Sequence, residues 1–159
     1  SAVNELLPGE RCRLKWPNDL VTRRGKLGGI LIEALSAGDG EAVAVVGFGV
    51  NRGVASGEPP VAGATTLWRE MRSEPPSLAR LTWSLVIHVM EEIERERADG
   101  DAVERYRDLA IHRPGDELSC RLGGETVSGV FRGFDERGFL RLEQAGRVRT
   151  IAAGEVVER

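Results

Sequence analysis

In this chain, Lys15-Trp16-Pro17-Asn18-Asp19 and Gly25-Lys26-Leu27-Gly28-Gly29-Ile30-Leu31 contain both lysines among 22 basic residues. Every other basic side chain is an arginine. The lysine ammonium is a compact charge on a flexible stem and suits a single carboxylate or phosphate oxygen, whereas the guanidinium is a broad planar fork. The placement of both lysines in this stretch indicates an anion-binding site. Two solvated lysines without a role are the alternative.

The glycine pair in this stretch, Gly28 and Gly29, follows Lys26 at the start of an apolar run. Glycine weakens a strand and supplies no side chain for packing, so two in succession indicate that another group approaches the backbone. A ligand lying on that backbone would explain the pair, and a β-bulge is the alternative. Lys26 would then stand on a rigid strand and extend its amine into the same pocket, with an exposed lysine at a strand edge as the alternative.

A cation, an amide and a carboxylate stand within five residues at Lys15, Asn18 and Asp19, on a turn that Pro17 stiffens. This set suits a nucleotide site, in which Lys15 meets phosphate charge, Asn18 orients the loop or ligand, and Asp19 binds Mg²⁺ held with the triphosphate. The alternative is an Asx-turn in which Asn18 and Asp19 bond only local backbone groups. We expect Trp16 in the core more readily than against an adenine ring.

Three segments carry a resemblance to a known family: residues 14–19, residues 26–33 and residues 46–51. In this order and spacing they resemble the signature of biotin protein ligases, which activate biotin with ATP and transfer it to a lysine of a carrier domain. The resemblance implies that Lys26 contacts biotin and its adenylate and is the catalytic residue. The predicted biotin and adenylate site comprises Lys15, Trp16, Asn18, Lys26, Gly28, Gly29 and Asn51, with Asp19 as the metal ligand. For Asn51, a cap at the end of its strand is the alternative.

The same resemblance implies an α+β fold. It predicts part of a mixed or antiparallel sheet with helices, as in class II synthetase-like ligase domains, followed by a small SH3-like β-barrel. The family's arginine- and glycine-rich loop, which closes over biotin and the adenylate, has no match in this sequence. We therefore expect residues 1–112 to be the C-terminal part of the catalytic domain, with its N-terminal half absent, and residues 113–159 to be the barrel.

Periodicity predicts the elements of the first part. Apolar runs at residues 29–35 and 42–50 predict a hairpin, and their nearly unbroken apolar character predicts burial on both faces. Residues 51–76 accumulate glycine and proline and predict a long loop with a short ordered patch at residues 65–68.

Helices and then short strands are predicted in the rest of the chain. Ser77 predicts the start of a helix that ends near Gly100, with one stripe formed by Leu78, Leu81, Leu85, Val89 and Ile93. A second helix is predicted at residues 102–111. Beyond residue 116, four or five alternating strands separated by turns predict the small barrel.

Composition excludes several classes of protein. The net charge is −3, and residues 113–159 hold eight arginines and eight acidic residues, which argues against nucleic-acid binding by this chain. Cys12 and Cys120 lie far apart without metal-ligand spacing, which fits a cytoplasmic protein. No apolar run is long enough to predict a membrane span. His88 and His112 have no nucleophile pattern around them and are interpreted as structural.

The sequence therefore predicts a partial biotin–[biotin carboxyl-carrier protein] ligase with ATP and biotin as substrates. The expected partners are the biotin carboxyl carrier protein of a carboxylase and the absent N-terminal half of the catalytic domain, and homodimerisation is left open. One alternative is an inactive fragment that acts as a binding module. Another is a lipoate ligase-like protein, which the Lys15 motif disfavours.

Overall fold

The structure is a computed structural model that describes residues 2–7, 12–38, 41–53, 59 and 61–157. In chain order, the elements are β1 (Arg13–Lys15), β2 (Asp19–Thr22), β3 (Gly25–Gly38), β4 (Glu41–Val50), α1 (Leu67–Met71), α2 (Leu78–Asp99), α3 (Ala102–Leu109), β5 (Glu117–Leu122), β6 (Glu125–Phe134), β7 (Leu140–Gln144), β8 (Arg147–Ile151) and β9 (Glu155–Val157). These elements confirm the predicted α+β class.

The chain divides into two compact units. One comprises Ser1–Cys12 with Asn18–Val86, and the other comprises Arg13–Pro17 with Ile87–Arg159. The boundary predicted between residues 112 and 113 does not coincide with this division, because β1 and most of α2 belong to the same unit as the β-rich C-terminal stretch. The chain thus passes from one unit to the other three times, after Cys12, after Pro17 and after Val86.

The first unit contains the predicted hairpin. Strands β2, β3 and β4 are consecutive antiparallel neighbours. In the β2–β3 pairing, Leu20 lies opposite Gly28 and Val21 lies opposite Lys26, so Leu27 is an extra residue in β3. This irregularity is the β-bulge that the glycine pair predicted as one alternative.

The prediction that this hairpin is buried on both faces is wrong for the residues that the structure describes. Leu31 and Ile32 point to opposite faces and are 58% and 62% exposed. Leu35, Val43 and Val45 are exposed as well. The unbroken apolar pattern predicts two covered faces, but in the described part of this unit these five side chains remain exposed. Both faces present apolar surface of the kind that marks an interface.

The helical middle follows its predicted bounds. The Ser77 hydroxyl accepts a hydrogen bond from the Arg80 amide at 3.3 Å, which caps α2 at its N-terminus. Gly100, with φ of +66°, ends this helix in the left-handed conformation. Of the predicted apolar stripe, Leu81 is buried whereas Leu78 is exposed. The ordered patch predicted at residues 65–68 is the cap and start of α1, and much of the loop before it lies outside the described residues.

The second unit holds the five-stranded antiparallel sheet, in the order β8-β7-β6-β5-β9. Its core brings together side chains from all five strands, among them Cys120, Phe131, Leu142, Ile151 and Val156. The β6–β7 turn is fixed by Asp135, whose carboxylate accepts hydrogen bonds from the amides of Arg137 and Phe139. Its five strands agree with the four or five short antiparallel strands that the C-terminal spacing predicted, and the resemblance implied that this module is SH3-like.

None of the helices described by the structure is long and apolar enough to cross a lipid bilayer.

Candidate biotin and nucleotide site

A concavity of about 710 Å³ lies on the first unit, at the glycine-rich end of the β3–β4 hairpin. It is lined by Asn18, Asp19, Lys26, Gly28, Gly29, Ile30, Leu31, Gly47, Phe48, Gly49, Val50 and Asn51. Six of the eight residues predicted for the site are therefore brought together here: Asn18, Asp19, Lys26, Gly28, Gly29 and Asn51. The other two, Lys15 and Trp16, belong to the second unit.

Gly28 and Gly29 give this cavity a floor of bare backbone, for different reasons. A Cβ atom on Gly28 would lie 2.1 Å from the carbonyl oxygen of Gly49 on the neighbouring strand, so only glycine fits there. A Cβ atom on Gly29 would meet the Asn18 carbonyl oxygen at 3.3 Å, which is tight but not prohibitive. Strand packing thus explains Gly28 without a ligand, while Gly29 leaves backbone open to the cavity.

The charges of the cavity form an ion pair. The Lys26 Nζ atom lies 2.5 Å from the Asp19 Oδ1 atom, and the two side chains are 52% and 14% exposed. Asp19 begins β2 and Lys26 stands at the start of β3, so antiparallel pairing of these strands brings the two side chains together. The Lys26 ammonium can leave Asp19 for an incoming anion, because about half of the Lys26 side chain is exposed to solvent.

Asn51 holds the loop that follows β4 against the start of β3. Its side-chain amide donates to the carbonyl oxygens of Lys26, at 3.2 Å, and Thr65, at 3.1 Å. Its backbone amide donates to the Leu27 carbonyl oxygen at 2.8 Å. These bonds are the strand cap that the sequence offered as the alternative to a ligand contact, and Asn51 lines the cavity while it makes them.

The described lining of the cavity offers a magnesium ion one carboxylate ligand, Asp19. Among the described residues, no group of three or more histidine, cysteine or acidic side chains could hold a metal ion. The one carboxylate of the cavity, Asp19, is already paired with Lys26, and a divalent cation beside that ammonium would have to break the pair. We therefore derive no step through a metal held by these residues.

Trp16 is a core residue of the second unit. It is buried in the cluster that contains Phe131 and Leu140, and its indole N–H donates to the Gly138 carbonyl oxygen at 3.2 Å. This packing matches the core alternative given for Trp16. The backbone amide of Trp16 donates to the Nε2 atom of His112 at 3.3 Å, which fixes the segment directly after Lys15.

Lys15 lines a separate concavity of about 550 Å³ in the second unit, together with Ile111, His112, Asp116, Glu117, Leu118, Ser119, Val156 and Val157. Burial lowers the pKa of His112 to about 4, the Asp116 charge raises it, and the Lys15 charge lowers it. The neutral imidazole is the form that accepts the Trp16 amide through Nε2. His112 is thus a buried acceptor that holds the Trp16 backbone, which agrees with its interpretation as a structural residue.

Comparison with known protein families gives a match at each end of the chain. The Biotin/lipoate A/B protein ligase family matches residues 2–51, and the Biotin protein ligase C terminal domain matches residues 119–159. The chain belongs to the biotin protein ligase family.

Curated relatives of this chain are longer than it is. It is 30% identical to the bifunctional ligase/repressor BirA of Escherichia coli over 156 residues, which are 94% of this chain and 47% of BirA. It is 32% identical to the biotin–[acetyl-CoA-carboxylase] ligase of Paracoccus denitrificans, covering 94% of this chain and 64% of that protein. The chain spans about half to two thirds of the length of these relatives.

Solved structures share the fold of this chain. The biotin protein ligase from Aquifex aeolicus in complex with biotin and ATP superposes with a TM-score of 0.73 at 22% identity, over 98% of this chain and 66% of that one. The apo structure of the same protein gives a TM-score of 0.76 over 99% of this chain and 71% of that one. The fold of both units is therefore that of biotin protein ligases.

Sequence patterns did not identify Glu70, which links the two backbone segments on either side of Lys26. Glu70 is buried, and its Oε1 atom accepts hydrogen bonds from the hydroxyls of Thr65, at 2.6 Å, and Thr22, at 3.1 Å. The ordered patch at residues 65–68 was the available signal, since two threonines followed closely by an acid on a short helix can satisfy one another. Predicting that Thr22 joins them requires the tertiary structure.

Proposed function

We propose that this chain is part of a ligase that converts biotin and ATP to biotinyl-5′-AMP and then transfers biotin to a lysine of a biotin carboxyl carrier protein. The observation that carries the proposal is the cavity in which Lys26, on a rigid strand, faces the open backbone of Gly29. The family matches at both ends of the chain support it. Biotin and ATP occur in the Aquifex aeolicus complex, whose fold this chain shares.

Lys26 would act on the first step of this reaction. A biotin carboxylate oxygen attacks the α-phosphorus of ATP, the new P–O bond forms, and pyrophosphate leaves. Two anions meet in this step, so a preorganised cation between them lowers the barrier. The Lys26 ammonium can leave Asp19 and bind the carboxylate and the phosphoryl oxygens, because both partners lie at the mouth of the same cavity.

In the second step the ε-amine of the acceptor lysine attacks the acyl carbon of the mixed anhydride. The C–O bond to the phosphate breaks, AMP leaves, and the nitrogen loses a proton as the amide forms. Lys26 would stabilise the charge on the departing phosphate as it did in the first step. The bare backbone at Gly29 would support the flat ureido ring of biotin, since no side chain stands there.

The remaining predicted roles are more limited. Asp19 remains a predicted Mg²⁺ ligand, and its ion pair with Lys26 opposes that role in the absence of nucleotide. Lys15 remains a predicted phosphate contact, and it lines the second concavity together with the carboxylates Asp116 and Glu117. Two free cysteines and a balanced distribution of charge support a cytoplasmic protein that does not bind nucleic acid.

The exposed hairpin faces support a further protein partner. Leu31 and Ile32 lie on opposite faces of β3 beside the cavity, and about a third to a half of each relative's own sequence lies outside the part that the chain matches. We propose that polypeptide equivalent to the remaining part of the relatives' catalytic domain covers these faces. A second copy of the chain is the competing occupant, and the mass of the purified protein in solution distinguishes the two.

The same exposed faces favour one alternative function, a binding module without catalysis. Calorimetry distinguishes it, because a pure interaction module gives no saturable heat with biotin or with a non-hydrolysable adenylate mimic. Lipoate in place of biotin is tested by competition in the same experiment. The match to the C-terminal domain of biotin protein ligases favours biotin.

The deciding experiment is the Lys26→Ala substitution. We expect biotin and adenylate-mimic affinity to fall by roughly tenfold or more, because one charge-assisted contact to an anion is lost. Arg23→Ala is the matched control, since Arg23 is exposed in the turn between β2 and β3 and carries the same charge. Equal binding by Lys26→Ala and the unaltered chain would remove Lys26 from the mechanism.

A further inference from the structure

Lys26 lies between two neighbouring backbone segments. On one side it pairs with Val21 of β2. On the other side, its amide donates to the Gly63 carbonyl oxygen and its carbonyl oxygen accepts from the Thr65 amide, both at 2.9 Å. Lys26 and Ala64 form a parallel bridge at the same place. The strand that carries the candidate catalytic amine is thus the middle one of three.

One carboxylate oxygen joins the two outer segments. Thr22 belongs to β2 and Thr65 belongs to the segment on the opposite side, and both hydroxyls donate to the Oε1 atom of Glu70. Glu70 is only 8% exposed, and the Thr65 bond of 2.6 Å has the length expected for a hydroxyl that donates to a carboxylate. Loss of the Glu70 carboxylate would remove the side-chain link between the two segments that flank Lys26 and leave only their backbone hydrogen bonds.

We propose that Glu70 is a positioning residue for Lys26 and hence for anion binding in the cavity. Glu70 does not line the cavity, so its effect reaches the ligand only through the placement of β2, β3 and the segment at Thr65. A displacement of Lys26 by a fraction of an ångström weakens anion binding, because its ammonium must lie within hydrogen-bond reach of the anion. This inference rests on the proposed function of Lys26.

The test compares variants of Glu70 and Thr65 by two measurements, biotin affinity from calorimetry and the NMR signals of the Lys26 ammonium and amide. Glu70→Ala removes the acceptor, whereas Glu70→Gln keeps an oxygen at the same place. Thr65→Val removes the hydroxyl, and Thr65→Ser restores it. We expect Glu70→Ala and Thr65→Val to weaken biotin binding roughly tenfold and to shift both Lys26 signals, with Glu70→Gln and Thr65→Ser close to the unaltered chain.

A buried residue elsewhere in the same unit supplies the control. Leu81→Ala lowers stability by removing a buried side chain of α2, and Leu81 is in the same unit but does not line the cavity. If Leu81→Ala weakens biotin binding and shifts the Lys26 signals as much as Glu70→Ala does, the effect is general loss of structure and the proposal is overturned.

The two proposals fail in distinguishable ways. If the unaltered chain binds no biotin, the proposed function fails for this chain, and the Lys26 signals alone then decide the role of Glu70. Lys26 signals that stay in place in both Glu70→Ala and Thr65→Val would refute positioning even if biotin binds. Should Glu70→Ala not fold, the Thr65 pair gives the same decision with a smaller perturbation.

Discussion

His112 gives the second unit a stability that depends on pH. Its pKa is about 4 in the folded chain because the ring is buried, against an ordinary value of 6.5. Below pH 6.5 the unfolded chain therefore binds a proton that the folded chain refuses, so stability is fully present above this value and is lost as pH falls toward 4. The full difference corresponds to about 3 kcal/mol, of which about 2 kcal/mol is lost between pH 7 and pH 5.

The structure suggests the substitution that removes this effect. The Nε2 atom of His112 accepts the Trp16 amide, and the side-chain oxygen of glutamine can occupy nearly the same position. His112→Gln keeps an acceptor there but does not titrate. We expect it to flatten the pH dependence by about 2 kcal/mol between pH 7 and pH 5, whatever it does to stability at pH 7.

Urea unfolding at several pH values measures this difference, with the indole N–H signal of Trp16 as the probe. That indole lies in the same core, where it donates to Gly138. His88→Gln removes the other histidine of the chain and serves as the control. The carboxylates contribute equally to all three proteins. An identical pH slope in His112→Gln and in the unaltered chain would refute the account of His112 as a buried neutral acceptor.

Two further predictions concern the two buried cysteines and the glycine pair of β3. Burial, followed by the charge of Glu70, raises the pKa of Cys12 to about 11, and burial also raises that of Cys120. We expect both thiols to react with a disulfide reagent at pH 8 only as the chain unfolds, and rapid reaction in native buffer would contradict their burial. Gly28→Ala should destabilise the hairpin by about 1 to 3 kcal/mol, because the new methyl group meets the backbone of β4, whereas Gly29→Ala should cost less. Thermal melts of the two variants test this, and equal losses would contradict the close approach at Gly28.

Local features of the fold could be predicted from the sequence where short-range chemistry decides them. The Ser77 cap and Gly100 set the bounds of α2, and strand spacing set the C-terminal sheet. Burial on both hairpin faces was predicted incorrectly, because the apolar pattern of a strand does not show whether another segment of the described structure covers it. Leu31 and Ile32 follow the pattern of a two-sided buried strand, yet both are exposed.

The candidate site could be predicted in part. Residue type and spacing selected Lys26, Gly28 and Gly29, and the structure places all three around one cavity. The partners of Lys26 could not be found in the same way. Asp19 reaches it only through strand pairing across a bulge, and Glu70 acts from a helix more than forty positions away along the sequence.

The crossing of the chain between units within a single short motif restricts how this protein can be divided. Trp16 fills the core of the β-rich unit, while Asp19, three positions later, begins a strand of the other unit. A piece that starts at Arg113 would lack the tryptophan at its centre. The C-terminal module therefore depends on a tryptophan that lies nearly one hundred positions before it, and recombination at residue 113 would separate the two. Changes in either unit must also keep the peptide around Trp16 and Asp19 compatible with both units.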